Sequence, residues 1–230
     1  MENSVLQVNN AVERKLPFDQ LLSNAEKELF DLNSNLVEYS RRDTIIKQNS
    51  RTSHVLYIKS GLVKISKEMR KGKSLILKIE GPGNFIGLSS VFGSETYEYS
   101  VSAIEPTVVS FTDIKILKDI ISKNGLIGLD IIGQVSKNNI FNIDKLSSLL
   151  YKQLPGRIAD IIIYFSEYIY LSQTFTIPLT RQELAELAGT TKESLIRTLS
   201  EFKHDKIIDM DRNTITILSP KIIHTLSRLG

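Results

Sequence analysis

Glu193 and Arg197 lie four residues apart in the segment TTKESLIR (residues 190–197), with Lys192 and Ile196 beside them. On a helix that spacing puts them one turn apart on one face. The face carries a particular set of groups. A guanidinium can bond O6 and N7 of guanine together, a carboxylate can accept from the amino group of cytosine, and a small apolar group can meet the thymine methyl. Base edges are what such a face could read; the plainer alternative is the solvated side of a surface helix. Glu193 also has a competing use. Thr190 stands three residues before it, the spacing of a capping box, which would fold the carboxylate back onto its own backbone.

These groups reach a base only if other elements hold their helix in a groove. Thr180–Asp205 predicts two helices joined by a tight turn. Thr180 can cap the first, with Glu183 at capping-box spacing. Leu184, Leu187 and Ala188 give it an apolar face. Gly189 ends it and can take the positive φ of a tight turn. Thr190 or Thr191 opens the second helix, and Leu195, Leu199 and Phe202 form its buried stripe. Lys206–Met210 and Thr214–Leu218 then alternate as two short strands around a turn at Asp211–Asn213. A helix pair followed by a two-stranded wing presents its second helix to the major groove. The candidate DNA-contacting set is Thr180, Arg181, Gln182, Thr191, Lys192, Glu193, Ile196 and Arg197. In that set Arg181 and Gln182 are phosphate contacts, which set position rather than sequence preference.

TRQELAELAG, TTKESLIRTLSEFK, HDKIIDM and DRNTITIL, preceded by LPGRIAD at residues 154–160 and by GLVKISKEMRKGKSLILKIEGPGNFIGLSSVF in the first half, resemble the Crp–Fnr transcription regulators. The resemblance spans roughly Leu36 to Leu218. It implies an α+β chain with an N-terminal β-roll (a jelly roll of the cyclic-nucleotide-binding kind), a long dimerisation helix and a C-terminal winged helix-turn-helix. It further implies a homodimer on a two-fold-symmetric double-stranded DNA site, with the residues at 193 and 197 reading a TGA core in each half-site. RNA polymerase is the implied partner if the protein is an activator. Lys192 departs from the Arg that the cyclic-AMP receptor type carries before that Glu, which puts the outer base pairs in doubt.

The sensor half departs further. In the cyclic-AMP-binding relatives, a short helix after a PGD-F-x-G-E pattern supplies a ribose-binding Glu, and an Arg-Ser pair about ten residues on binds the phosphate. Here Leu88 stands where the Glu would be and Tyr97-Glu98 near where Arg-Ser would be. No Arg or Lys lies between Lys78 and Lys115. A buried cyclic phosphate needs cations or dense donors to replace its hydration, so an effector other than cyclic AMP, or none, is expected. The candidate pocket is Gly87, Leu88, Ser89, Ser90, Tyr97, Glu98, Tyr99 and Ser100, with Asn139 and Asn142 from the long helix.

Three units are expected: a sensor roll over residues 1–125, a dimerisation helix over 126–152 and the winged helix over 153–230. Residues 1–17 read as an irregular arm and Phe18–Leu32 as one or two short helices, with Asn24 a candidate N-cap. Short strands follow, including 54–58, 62–66, 75–79, 100–104 and 107–111, with a hairpin tip at Lys71–Lys73 and a turn at Gly81–Gly83. Their regular spacing suggests a sandwich or barrel. A short helix over 113–122 precedes the long one. Two heptad seams fit the long helix. One is Leu129, Ile132, Ser136, Asn139, Ile143, Leu146 and Leu150; the other is Gly128, Ile132, Val135, Asn139, Asn142, Leu146 and Leu149. Either suits a parallel two-helix dimer, with Ile132, Val135, Asn139, Leu146 and Leu149 as its candidate contacts. Lys152-Gln153 reads as the hinge.

The chain has 230 residues, 41% of them hydrophobic, a net charge of +3 and no cysteine. Without cysteine there is no disulfide, thiol switch or cysteine-held iron–sulfur cluster. Among histidines and methionines, His54 and Met69 are the candidates for a haem-sensing relative's ligands, with an ordinary structural role the alternative for each. No run is apolar enough to span a bilayer and no secretory signal opens the chain, so a cytoplasmic location is expected. A metal enzyme with a cupin-like roll would need clustered ligands that the sequence lacks. A regulatory subunit acting on a protein partner is the other rival, and the helix pair with its wing argues against it.

Overall fold

The computed structural model describes residues 18–69 and 74–230. The arm at 1–17 and the tip at Lys71–Lys73 lie outside the described residues. Helices α1 (Phe18–Leu21) and α2 (Asn24–Leu32) come first. Ser23, not Asn24, caps α2: its side chain accepts from the Glu26 N–H, and Glu26 accepts from the Ser23 N–H at 2.8 Å. The reciprocal box satisfies donors at the helix start that Asn24, already inside the helix, does not reach.

Among the described residues, eight strands build the roll: β1 (Ser34–Tyr39), β2 (Thr44–Ile46), β3 (His54–Ser60), β4 (Val63–Glu68), β5 (Ser74–Glu80), β6 (Phe85–Ile86), β7 (Ser100–Ala103) and β8 (Thr107–Asp113). They form two four-stranded antiparallel sheets, ordered β1-β8-β3-β6 and β2-β7-β4-β5. In β3, Val55 and Tyr57 join a cluster with Phe18, Phe30, Phe85, Leu117 and Ile127, while Leu56 and Ile58 join Val63, Val101 and Val109. Alternate side chains leave opposite faces of a strand, so β3 serves two cores and is buried on both sides. The turn into β4 needs Gly61: its φ is +85°, and a Cβ there would stand 2.4 Å from the Pro106 carbonyl oxygen.

Helix α3 (Leu88–Gly93) crosses from β6 towards β7, and α4 (Ile114–Lys123) follows β8. Asn124 then caps the long helix α5 (Gly125–Tyr151) by accepting from the N–H groups of Leu126 and Ile127. The C-terminal half runs through α6 (Leu154–Tyr164), a π-helical turn (Phe165–Ile169), β9 (Thr174–Thr176), α7 (Arg181–Ala188), α8 (Lys192–His204), β10 (Ile208–Asp211), β11 (Thr214–Ile217) and α9 (Pro220–Leu229). The architecture is the expected α+β one, with one strand more. The wing is a three-stranded sheet ordered β10-β11-β9. Its third strand is the short alternating run at Thr174–Thr176, whose Thr174 and Thr176 hydroxyls pair with those of Thr216 and Thr214.

The core of the C-terminal half (Ile158, Ile162, Phe165, Leu184, Leu195, Phe202, Ile215) is continuous with Leu62, Ile76, Ile79 and Ile104 of the roll. The two halves therefore share apolar packing. Among the described residues, no helix is long and apolar enough to cross a membrane.

Candidate nucleic-acid interface

Helix α7 starts with the expected capping box. The Thr180 hydroxyl accepts from the Glu183 N–H at 3.2 Å, and a Glu183 oxygen accepts from the Thr180 N–H at 2.8 Å. Glu183 also pairs with Lys64 of β4. Burial pushes the Glu183 carboxyl up, but the bonds from Lys64 and Thr180 outweigh it and leave the group lowered. Gly189 closes the helix at φ +62°. The positive φ demands glycine; a Cβ there would come within 2.5 Å of Leu149 Cδ2 and push that side chain of α5 aside.

The cap of α8 decides the competing role of Glu193. Thr191 is the N-cap and accepts from the Ser194 N–H at 3.2 Å. The box position therefore falls on Ser194, and the Thr190–Glu193 box does not form. Leu195, Leu199 and Phe202 are buried, as the stripe predicts. Thr191, Lys192, Glu193, Ile196 and Arg197 are exposed on the other side, with Arg197 only in loose contact with Glu201 at 4.0 Å. The candidate readers thus share one open face, carried by a helix whose opposite side is anchored in the core.

The first-helix candidates divide. Thr180 and Gln182 are exposed, and Gln182 donates to Glu186 at 3.1 Å. Arg181 is half-buried and turned to the wing: its guanidinium donates to the Arg212 carbonyl and lies 3.2 Å from Met210 Sδ. Burial lowers its pKa. Lys203, near the end of α8, holds the same strand through the Met210 carbonyl at 2.7 Å and Asp209 at 3.1 Å. Two cations thus fix the wing against the helix pair.

The candidate effector residues do not form one set. Leu88, Ser90 and Tyr97 are buried and Tyr99 and Ser100 partly so, whereas Ser89 and Glu98 are exposed. Glu98 faces outward, where it accepts from Ser94 and meets Lys67 at 3.5 Å, so its charge does not line the interior. Gly87, at φ +89°, gives its N–H to the Tyr99 phenol oxygen at 3.1 Å. From α5, Asn139 and Asn142 are exposed; the asparagine that reaches the roll is Asn138, which accepts from Lys78 at 2.7 Å. His54 begins β3 with its Nδ1 2.8 Å from the Ser53 hydroxyl, while Met69 follows β4 in the other sheet and is exposed.

On α5 the structure separates the two seams. Leu129, Ile132, Ile143, Leu146 and Leu150 are all more than half exposed, with Ser136 and Asn139 between them. Two residues of the alternative seam turn inward: Val135 packs on the roll's core cluster and Leu149 lies under the Gly189 turn. Those two are intramolecular contacts of this chain, because the helix must pack on its own roll and on the C-terminal half. At the expected hinge, Lys152-Gln153, Asp160 of α6 accepts from Ser148 at 2.6 Å, Lys152 at 2.7 Å and Ser227 of α9 at 2.6 Å.

Two family models match the chain. Residues 36–124 match the cyclic nucleotide-binding domain and residues 156–223 the Crp-like helix-turn-helix domain. The cAMP-activated global transcriptional regulator CRP of Salmonella typhimurium is 24% identical over 195 residues, covering 83% of this chain and 92% of the relative. The structure of FixK2 from Bradyrhizobium japonicum superposes with a TM-score of 0.79 at 17% identity, covering 86% of this chain and 98% of that one. That of the c-di-GMP responsive global regulator CLP from Xanthomonas campestris superposes at 0.72 with 24% identity, covering 85% and 99%.

Proposed function

The chain belongs to the Crp–Fnr family of DNA-binding transcription regulators, and we propose that it acts as a homodimer on a two-fold-symmetric site, answering to an effector other than cyclic AMP or to none. The observation that carries the DNA reading is the α8 face: Lys192, Glu193, Ile196 and Arg197 stand open on a helix capped by Thr191 and anchored by Leu195, Leu199 and Phe202. Arg197 takes a guanine and Glu193 the amino group of a cytosine on the opposite strand. Thr180 and Gln182 contact phosphates at the start of α7, where helix N–H groups and the macrodipole favour anions.

Dimerisation uses the exposed seam Leu129, Ile132, Ser136, Asn139, Ile143, Leu146 and Leu150. A stripe of that length and apolarity is large for a free surface, and Asn139 at its centre fixes register at some cost in stability. Two α8 helices brought together this way face successive turns of one groove. If the protein activates, RNA polymerase is its further partner.

The relatives' names give cyclic AMP for one and c-di-GMP for another, so the shared fold does not set the effector. In this chain Leu88 and Tyr97 are apolar or aromatic and buried where cyclic AMP would need a carboxylate and a cation. Site selection from random DNA by the purified protein tests the reading. Paired half-sites containing TGA are expected; a motif without two-fold symmetry, or no motif, overturns it. Calorimetry with cyclic AMP and cyclic GMP is expected to show no binding, and micromolar binding of either would end the claim about the effector.

A further inference from the structure

Strand β5 carries charge where a buried strand has least use for it. Lys78 stands between Leu77 and the fully buried Ile79, and Glu80, only 7% exposed, follows. The two form an ion pair. A buried pair is often no more stabilising than apolar residues of the same volume, so stability alone does not account for it. Lys78 also donates to Asn138 of α5 and lies 4.9 Å over the Phe141 ring of the same helix.

The backbone of β5 is engaged in the same direction. The β4–β5 register slips between Ile65 and Ser66, leaving Leu77 unpaired in the ladder. Lys145 of α5 fills the gap, donating to the carbonyls of Ile76 at 2.8 Å and Leu77 at 2.9 Å. Burial holds that ammonium down at about 8. The carbonyl of Ile79 accepts from the Tyr164 hydroxyl of α6. Residues 76–80 are thus tied in turn to the long helix and to the first helix of the DNA-binding half. Within the roll, the Tyr99 phenol oxygen accepts from the Gly87 N–H and the Tyr97 hydroxyl donates to the His54 carbonyl at 2.5 Å.

We propose that Lys78, Lys145 and Tyr164 are positioning residues for DNA recognition, coupling the roll to α5 and α6 through β5 with protein groups alone, where an effector would otherwise join roll and helix. The coupling rests on the DNA-binding reading above and deepens its account of the sensor half: the roll holds the DNA-binding half in place without a small molecule.

The test uses full-length protein, unfolded in guanidinium, dialysed and refolded, so that it carries no small molecule. Refolded wild type is expected to bind its selected site within about twofold of the native preparation, well inside the range usual for coupling between sites. Lys78→Met alone would strand the Glu80 charge, so the informative variant joins Lys78→Met to Glu80→Leu, which keeps the volume apolar. This double variant, Lys145→Met and Tyr164→Phe are each expected to weaken specific binding by about tenfold, with the dimer and non-specific DNA binding unchanged when assayed well below each variant's melting temperature. A purely structural role would move these two instead. Wild-type affinity in all three variants overturns the proposal. So does a refolded wild type that loses specific binding and regains it when the small-molecule fraction of the native protein is returned. If the native wild type itself prefers no sequence, the DNA-binding reading falls and takes this inference with it.

Discussion

Replacing Ile132 and Leu146 by aspartate should convert the protein to monomers. Leu129, Ile132, Ile143, Leu146 and Leu150 are between 55% and 67% exposed in the single chain. Full burial of such a side chain is worth ~1.5–3 kcal/mol, so covering the exposed part contributes roughly 1–2 kcal/mol each and roughly 10–20 kcal/mol over both chains. Association costs about 4–15 kcal/mol in lost freedom before side-chain ordering is counted. The surplus is enough for a stable dimer, with little to spare. The two substitutions remove roughly 4–8 kcal/mol of that burial and set each carboxylate against its symmetry mate, a further cost of several kcal/mol. Sedimentation across a concentration series is expected to show monomers and greatly weakened specific binding. Leu129→Asp tests the choice of seam, since Leu129 belongs only to the exposed one. Leu149→Asp should instead loosen the packing under Gly189, lowering the melting temperature. A double variant that remains dimeric would refute the seam.

Glu193→Ala should relax preference at one base pair by ~1–3 kcal/mol while leaving the melting temperature alone, because Thr191 and not Thr190 caps the helix; Arg197→Ala should erase the guanine, and site selection with each variant reads both. Thr191→Ala should show the reverse pattern, losing ~1 kcal/mol of stability with the selected motif unchanged. Arg181→Ala should weaken binding to all sequences without lowering the slope of log affinity against log salt, since its guanidinium holds the Arg212 carbonyl; a slope reduced by about one counterion would make it a phosphate contact after all. For Lys145, the folded pKa of about 8 lies below the 10.5 of the unfolded group. The unfolded chain then binds more protons between those values, so stability should rise with pH across that window by at most ~3 kcal/mol, and Lys145→Met should abolish the rise in denaturant titrations at pH 7.5 and 10.

The DNA-binding half was legible because its signals are local. Thr180 and Glu183, Gly189, and the stripe Leu195, Leu199 and Phe202 act within one or two helical turns of each other, and each does in the structure what its spacing implies. The cap of α8 was ambiguous because two threonines adjoin and only the backbone at Thr191, extended at φ −84° and ψ 154°, settles which begins the helix. The roll was legible in its strands but not in its interior. Asn138, Asn139 and Asn142 are the same type on one helix, and which of them meets the roll depends on the rotation of α5. That rotation is set by Ile127, Ile131 and Gln134, which are buried against the roll. Lys78 and Glu80 in LILKIE gave a signal of their own: two charges in an apolar strand. Nothing local says that Lys78 also reaches Asn138, 60 residues on. Arg181 shows the same limit. Its place beside a helix start suggests phosphate, and only the path of the wing brings the Arg212 carbonyl to it.

One helix does two jobs on opposite faces, and this limits how the molecule can signal. Outward, α5 presents the seam from Leu129 to Leu150. Inward, it grips β5 through Asn138 and Lys145, and the DNA-binding half through Leu149 under Gly189 and through Ser148 and Lys152 on Asp160. Turning α5 about its axis would move both faces at once, so the seam cannot repack without disturbing the grip. The separation of the two α8 helices in a dimer is therefore set by the α5 pair and held by bonds at each end of the hinge. A two-fold site with half-sites a helical turn apart tolerates little error in that separation. The two ties differ in exposure: Asp160 is partly exposed and takes its donors from side chains, whereas Ile76 and Ile79 of β5 are fully buried and accept through their backbone carbonyls. The Asp160 cluster is thus the weaker tie, and a transition that reorients α8 while leaving the dimer intact would break there first.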